Sequence, residues 1–151
     1  MAFKVKGEWT IMVTDLNFER TIMAQRILVV DDEPGTLKML EMTIKLEGYE
    51  VATARDGQAA LSMIPEFKPD LIILDMMMPG QTGIEVLKTL KKQYANPPSV
   101  IIFSAKGGIP DMVEGMEAGA FKYLVKPVSR VDLIQNIKSA LVARAFRKPS
   151  V

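Results

Sequence analysis

From residue 26 onward, short apolar runs alternate with segments whose apolar residues recur every three or four positions. The runs are 26–30 (RILVV), 49–54 (YEVATA), 70–74 (DLIIL), 99–103 (SVIIF) and 121–125 (FKYLV). Most of the central ones are unbroken rather than alternating, the pattern of strands buried on both faces of a parallel sheet. Between them the period becomes helical. Pro34 suits a first turn, and Leu37, Leu40, Met42, Ile44 and Leu46 form an apolar stripe stopped by Gly48. Asp56 is the expected N-cap of a helix over 57–64, and Gly83 to Gln93 repeats apolar residues at Ile84, Leu87 and Leu90. Pro110 and Asp111 open a short helix that ends near Gly119. Ser129, with Asp132 three residues on, resembles a capping box before a last helix carrying Val131, Leu133, Ile134, Ile137 and Leu141.

Strands alternating with helices in this way predict an α/β fold: a doubly wound, five-stranded parallel sheet with right-handed crossovers and helices on both faces. In such sheets the ligand site lies beyond the C-terminal strand ends, so the loop after each strand is where chemistry belongs. Residues 1–23 stand outside the alternation, as an N-terminal extension of unassigned role. Their pattern suggests a strand with Trp9, Ile11 and Val13 on one face, then a helical turn. The domain proper spans 24–146, and 147–151 form a tail.

Composition narrows the chemistry. A chain of 151 residues, 48% hydrophobic and 25% charged, is long enough for one domain with a real core. Its net charge of +1 creates no field to attract nucleic acid or an anionic membrane. Arg144, Arg147 and Lys148 read as a solvated basic end. The absence of cysteine and histidine removes disulfides, thiolate catalysis, typical zinc sites and any Ser-His-Asp triad. Phosphate chemistry, if present, must use carboxylates. No apolar run approaches a membrane span, and the first twenty residues lack the continuous apolar block of a signal peptide. A cytoplasmic location is expected.

The strand ends hold the candidates. Asp31, Asp32 and Glu33 follow the first strand, Asp75 the third, Ser104 the fourth and Lys126 the fifth. The first strand is expected to be central, with the third beside it, which sets two acidic loops side by side. Clustered carboxylates repel phosphate unless a divalent cation lies between, and hard oxygen ligands favour Mg²⁺. An aspartate is a competent nucleophile for phosphorus, giving an acyl phosphate. An ammonium and a hydroxyl can hold the remaining oxygens. Singly, each residue has a plainer reading: Asp31 and Asp32 as helix caps, Asp75 as the start of a turn, Tyr123 as core, and Met76–Met78 as packing. Only their joint arrangement favours chemistry.

The stretches "ILVVDDEP", "PDLIILDMMMPGQTG", "VIIFSA" and "FKYLVKP" resemble the response-regulator receiver domain of two-component signalling, over about residues 25–145. The resemblance implies a flavodoxin-like strand order, 2-1-3-4-5. It implies that Asp75 is the phosphoacceptor and that Asp31 and Asp32 are the acid pair. Mg²⁺ would be held by Asp31, Asp32, Asp75 and the backbone carbonyl of Met77, with Asp32 the more direct ligand of the pair. Ser104 and Tyr123 match the switch positions, Lys126 matches the phosphate-binding lysine, and the Lys126–Pro127 bond is expected to be cis.

The implied function is a switch rather than a classical enzyme. It would accept phosphate from a sensor histidine kinase or phosphotransfer protein, and it would catalyse its own phosphorylation and slow dephosphorylation. It would signal to an effector through its fourth helix, fifth strand and fifth helix, with self-association into a homodimer left open. Met77, two residues after the phosphoacceptor, cannot hydrogen-bond an attacking water, and slow loss of phosphate is expected. A phosphohydrolase of the haloacid-dehalogenase kind would want an aspartate at position 77. A flavodoxin-like cofactor binder would want a glycine- or hydroxyl-rich loop where this chain has acids. A receiver-shaped scaffold working without phosphorylation remains the strongest rival.

Overall fold

The computed structural model describes residues 2–5, 9–12 and 24–147. Strands β1 (Ala2–Val5) and β2 (Trp9–Met12) pair antiparallel as a separate two-stranded sheet. The expected strand at Trp9 is therefore present, while Val13 and the expected helical turn lie outside the described residues. The remaining strands are β3 (Arg26–Val30), β4 (Glu50–Ala54), β5 (Leu71–Leu74), β6 (Ser99–Ser104) and β7 (Lys122–Val125). They form one parallel sheet in the order β4-β3-β5-β6-β7, which is 2-1-3-4-5 counted from β3. Five helices alternate with them: α1 (Pro34–Lys45), α2 (Gly57–Phe67), α3 (Gly83–Gln93), α4 (Ile109–Glu117) and α5 (Arg130–Ala145). None of the described helices is long and apolar enough to cross a membrane.

The unbroken apolar runs are explained by two cores, one on each face of the sheet. Leu28, Val30, Ile72, Leu74 and Ile102 point to the side covered by α2, α3 and α4. Ile27, Val29, Leu71, Ile73, Ile101 and Phe103 point to the other, covered by α1 and α5. Because side chains alternate along a strand, a central strand buried on both faces has no position left for a polar residue. Edge strand β4 is correspondingly more mixed, with Glu50 exposed.

Several local readings need correction. Glu33, rather than Asp31 or Asp32, caps α1, its carboxylate accepting from the N–H groups of Gly35 and Thr36. That frees both aspartates from the capping role. The helix over 57–64 continues to Phe67: Pro65 lies inside it and the chain leaves only at Lys68, in a left-handed conformation with φ 52°. Asp56 does cap it, accepting from Ala59 N–H at 2.7 Å. Ser129 accepts from Asp132 N–H at 3.1 Å, but the reciprocal capping box forms at Thr82 and Glu85, ahead of α3. The basic end is not simply solvated. Arg144 pairs with Asp70 at 3.4 Å, and Arg147 donates to Asn96 and to the Pro97 carbonyl, which ties the end of α5 to the loop before β6.

The apolar stripe of α1 is narrower than its composition suggests. Leu37, Leu40 and Ile44 are buried, whereas Met42 and Leu46 are exposed, Leu46 by 74%. Val131 on α5 is likewise exposed. Stability should follow this division. Leu40→Ala is expected to cost about 3 kcal/mol, the usual range for an emptied core site. Leu46→Ala should stay within about 0.5 kcal/mol, as surface substitutions do. Urea unfolding of both variants checks this, and equal costs would contradict the packing described.

Candidate functional site

Asp31, Asp75 and Lys126 each sit one step past the end of their strand, where the backbone ladder holds them, while Ser104 is the last residue of β6 and Tyr123 lies within β7. Asp31 N–H donates to the Ala54 carbonyl at 3.1 Å, so the β3–β4 pairing continues through the first acid. Asp75 N–H donates to the Val30 carbonyl at 3.0 Å, and Lys126 N–H to the Ser104 carbonyl at 2.8 Å. In a parallel sheet these last rungs set the starting points of neighbouring loops side by side. The three side chains are thus aimed from rigid backbone rather than from the tips of loose loops.

One carboxylate oxygen from each of Asp31, Asp32 and Asp75 lies within 4.8 Å of the other two. Asp31 and Asp75 are buried and Asp32 is partly exposed, so the cluster opens to solvent at Asp32. Lys126 reaches in from the far side, its Nζ 2.7 Å from Asp31 Oδ2 and 3.8 Å from Asp75 Oδ2. The same ammonium lies 5.1 Å from the centroid of the Phe103 ring. The other oxygens are held by backbone: Asp31 Oδ1 accepts from Glu33 N–H at 2.9 Å, and Asp75 Oδ1 from Met77 N–H at 3.1 Å. The turn reading of Asp75 is therefore correct and compatible with a chemical role. The Lys126–Pro127 bond is cis, as expected.

Ser104 ends β6, wholly buried, its Oγ accepting from Lys106 N–H at 3.2 Å. Tyr123, also buried, donates its hydroxyl to the Lys106 carbonyl at 2.7 Å. A single residue after the serine is thus bonded through its backbone to both switch candidates. Of the three consecutive methionines, Met76 and Met78 are packed into the core and Met77 points out, 53% exposed. Met77 therefore meets the cluster through its backbone and not through its side chain.

Two parts were not foreseen from the sequence, those of Phe103 and of the capping carboxylate of Glu33. A glutamate directly before a proline-led helix was a usable cap signal. The contact of a lysine with a ring twenty-three positions away was not.

Burial pushes the Asp75 carboxyl above its ordinary range. Met77 N–H and Lys126 pull it down, and Asp31 and Asp32 push it up. Burial likewise raises the Tyr123 phenol; the Ser104 hydroxyl pulls against this, while Asp111 and Asp75 add to it.

Five parallel strands in the order 2-1-3-4-5 with five helices form the flavodoxin-like fold of CheY-like receiver domains. The chain belongs to the response regulator receiver domain family, which it matches over residues 27–138. It is similar to a CheY-like response regulator receiver domain protein from Methanospirillum hungatei JF-1. The two are 30% identical with a TM-score of 0.75, covering 80% of this chain and 96% of that one. A receiver domain protein from Clostridium thermocellum is 34% identical with a TM-score of 0.74, covering 80% and 96%. The Thermotoga maritima response regulator TrrA, solved in complex with Mg²⁺-BeF, is 34% identical with a TM-score of 0.70, covering 77% and 98%.

The raised Asp75 carboxyl has a stability consequence. The folded state binds that proton more tightly than the unfolded chain, so this group's contribution falls as pH rises above the ordinary carboxylate range. At pH 7, without divalent cation, Asp75→Asn should therefore raise the thermal midpoint by a few degrees, and the gain should shrink towards pH 4. Calorimetry at both pH values measures this. A variant less stable than the parent at pH 7 would contradict the assignment.

Proposed function

We propose that this domain is a phosphorylation-controlled switch that accepts a phosphoryl group on Asp75 from a sensor histidine kinase or phosphotransfer protein. The observation that carries this reading is the three-carboxylate cluster with Lys126 beside two of its members. An all-oxygen donor set of this density fits a hard divalent cation, Mg²⁺ above all. Asp31, Asp32, Asp75 and the Met77 carbonyl would hold it, Asp32 being the more direct of the acid pair. When bound, Mg²⁺ supplies the positive charge that lets a phosphoryl group approach the carboxylates. The Mg²⁺-BeF complex of TrrA supports the same assignment.

The chain's own groups then have defined tasks. An oxygen of the Asp75 carboxylate bonds to phosphorus as the donor's P–N bond breaks, and the imidazole nitrogen keeps that electron pair. The Met77 N–H fixes the plane of the Asp75 carboxylate. Lys126, already 3.8 Å from Asp75, is within reach of the transferred oxygens once it turns from Asp31. The Ser104 hydroxyl, whose oxygen accepts from Lys106, can turn its own proton to a phosphoryl oxygen. Transfer of this kind needs positioning and charge neutralisation more than proton shuttling. The domain acts on itself and is not an enzyme in the ordinary sense.

Phosphorylation adds about −1.5 to −2 charge at the end of β5. Ser104 and Tyr123 would transmit it to α4, β7 and α5. Those helices carry exposed apolar residues, Ile109, Val113 and Met116 on α4 and Val131, Val142 and Phe146 on α5, suited to an effector or to a second copy of the domain. A cytoplasmic setting fits a kinase partner of this kind.

Intact mass after incubation with acetyl phosphate and Mg²⁺ tests the reading. One phosphoryl mass is expected on the wild type, none without Mg²⁺ and none on Asp75→Asn. No gain by the folded wild type would favour a phosphate-independent scaffold, and a gain surviving in Asp75→Asn would mean another carboxylate is the acceptor. The exposed, apolar Met77 side chain offers no hydrogen bond to an attacking water, so the phosphoryl group should persist for minutes or longer in Mg²⁺. A half-life of a few seconds would overturn that part.

A further inference from the structure

Tyr123 is only 5% exposed and lies beneath α4, where the residue against its ring is Gly115. A Cβ at position 115 would stand 2.7 Å from Ile102 Cδ1 and 3.0 and 3.3 Å from Cδ2 and Cε2 of Tyr123. Ordinary van der Waals contact begins near 3.4 Å, so alanine would turn the flexible end of Ile102 aside and press the ring back by a few tenths of an ångström. Gly115 is not at positive φ, and a glycine inside a helix is unfavourable relative to alanine. Space, not backbone conformation, is what the glycine provides here. The seated ring places its hydroxyl on the Lys106 carbonyl, and the N–H of Lys106 is on Ser104.

We propose that Gly115 is a positioning residue for Tyr123: its missing Cβ sets how deeply the ring seats, and so the shape of the loop after Ser104. As a statement about switching this rests on the reading of Ser104 and Tyr123 given above, but the seating itself does not. With Gly115→Ala, the Tyr123 ring is expected to seat less deeply under α4, which strains its hydrogen bond to the Lys106 carbonyl. The route from Ser104 to the α4 surface then starts from a different packing.

Fluorine NMR of protein labelled with 3-fluorotyrosine reads this directly, Tyr123→Phe distinguishing its signal from those of Tyr49 and Tyr94. In Gly115→Ala the Tyr123 signal should shift, with the other two unchanged. A Tyr123 signal that stays in place would overturn the proposal. Unfolding of Gly115→Ala, Tyr123→Ala and the double variant provides a second reading. The loss caused by Gly115→Ala should fall by at least half when the ring is gone. If Gly115→Ala folds only when combined with Tyr123→Ala, the proposal is equally supported. An equal loss in both backgrounds, or failure to fold in both, would overturn it by assigning the space to Ile102 alone. Labelling of the wild type by acetyl phosphate is scored separately: its failure would sink the switch reading and leave the fluorine result standing.

Discussion

Repulsion among Asp31, Asp32 and Asp75 is the constraint around which the rest of the domain is arranged. Two unit charges about 4 Å apart in a protein interior interact by about 4 kcal/mol at an effective dielectric near 20. That is comparable to the whole net stability of a small domain, roughly 5–15 kcal/mol. Side chains on loops would swing apart under such a force. Here the backbone forbids it, because Asp31 and Asp75 are each bonded by their N–H to the last carbonyl of the neighbouring strand. The apolar sheet beneath, buried on both faces, supplies the rigidity that keeps the charges close. Lys126 offsets part of the cost by pairing with Asp31, and it too is delivered by a final rung of the ladder.

This arrangement joins stability to function. A site that stores repulsion is stabilised by whatever neutralises it, so a cation or a rearranged lysine changes the balance between packings of the surrounding loops. The loop after β6 is the element placed to respond. Its Lys106 is bonded by its N–H to Ser104 and by its carbonyl to Tyr123, and Gly107 and Gly108 follow it. Beyond those glycines lies α4, with Gly115 against the tyrosine ring. A short, contiguous path of bonded and packed groups therefore runs from Ser104 to a helix surface.

Much of this was legible from the residues, for physical reasons. Strands buried on both faces cannot alternate, so β3, β5 and β6 declared themselves as unbroken runs, and a parallel sheet then required the chemistry to lie at their C-terminal ends. What remained hidden depended on tertiary contact. Met42 and Leu46 match the stripe of α1 by composition, yet only Leu37, Leu40 and Ile44 are buried against the sheet. The helix expected over 57–64 runs on through Pro65 to Phe67 and ends at Lys68, whose left-handed backbone its residue type does not signal. Arg144 and Arg147 looked like a tail because their partners, Asp70, Asn96 and Pro97, are about fifty or more positions away. The role of Gly115 shows only when the ring of Tyr123 is seen against it.

The central claim is that the carboxylates are held together to receive a cation, and a Mg²⁺ titration of thermal unfolding at constant ionic strength tests it most directly. The account predicts a midpoint that climbs with Mg²⁺ as expected for one site on the folded state, and a response largely lost in Asp32→Asn. A wild-type midpoint indifferent to Mg²⁺, or an Asp32→Asn midpoint that climbs just as steeply, would contradict it.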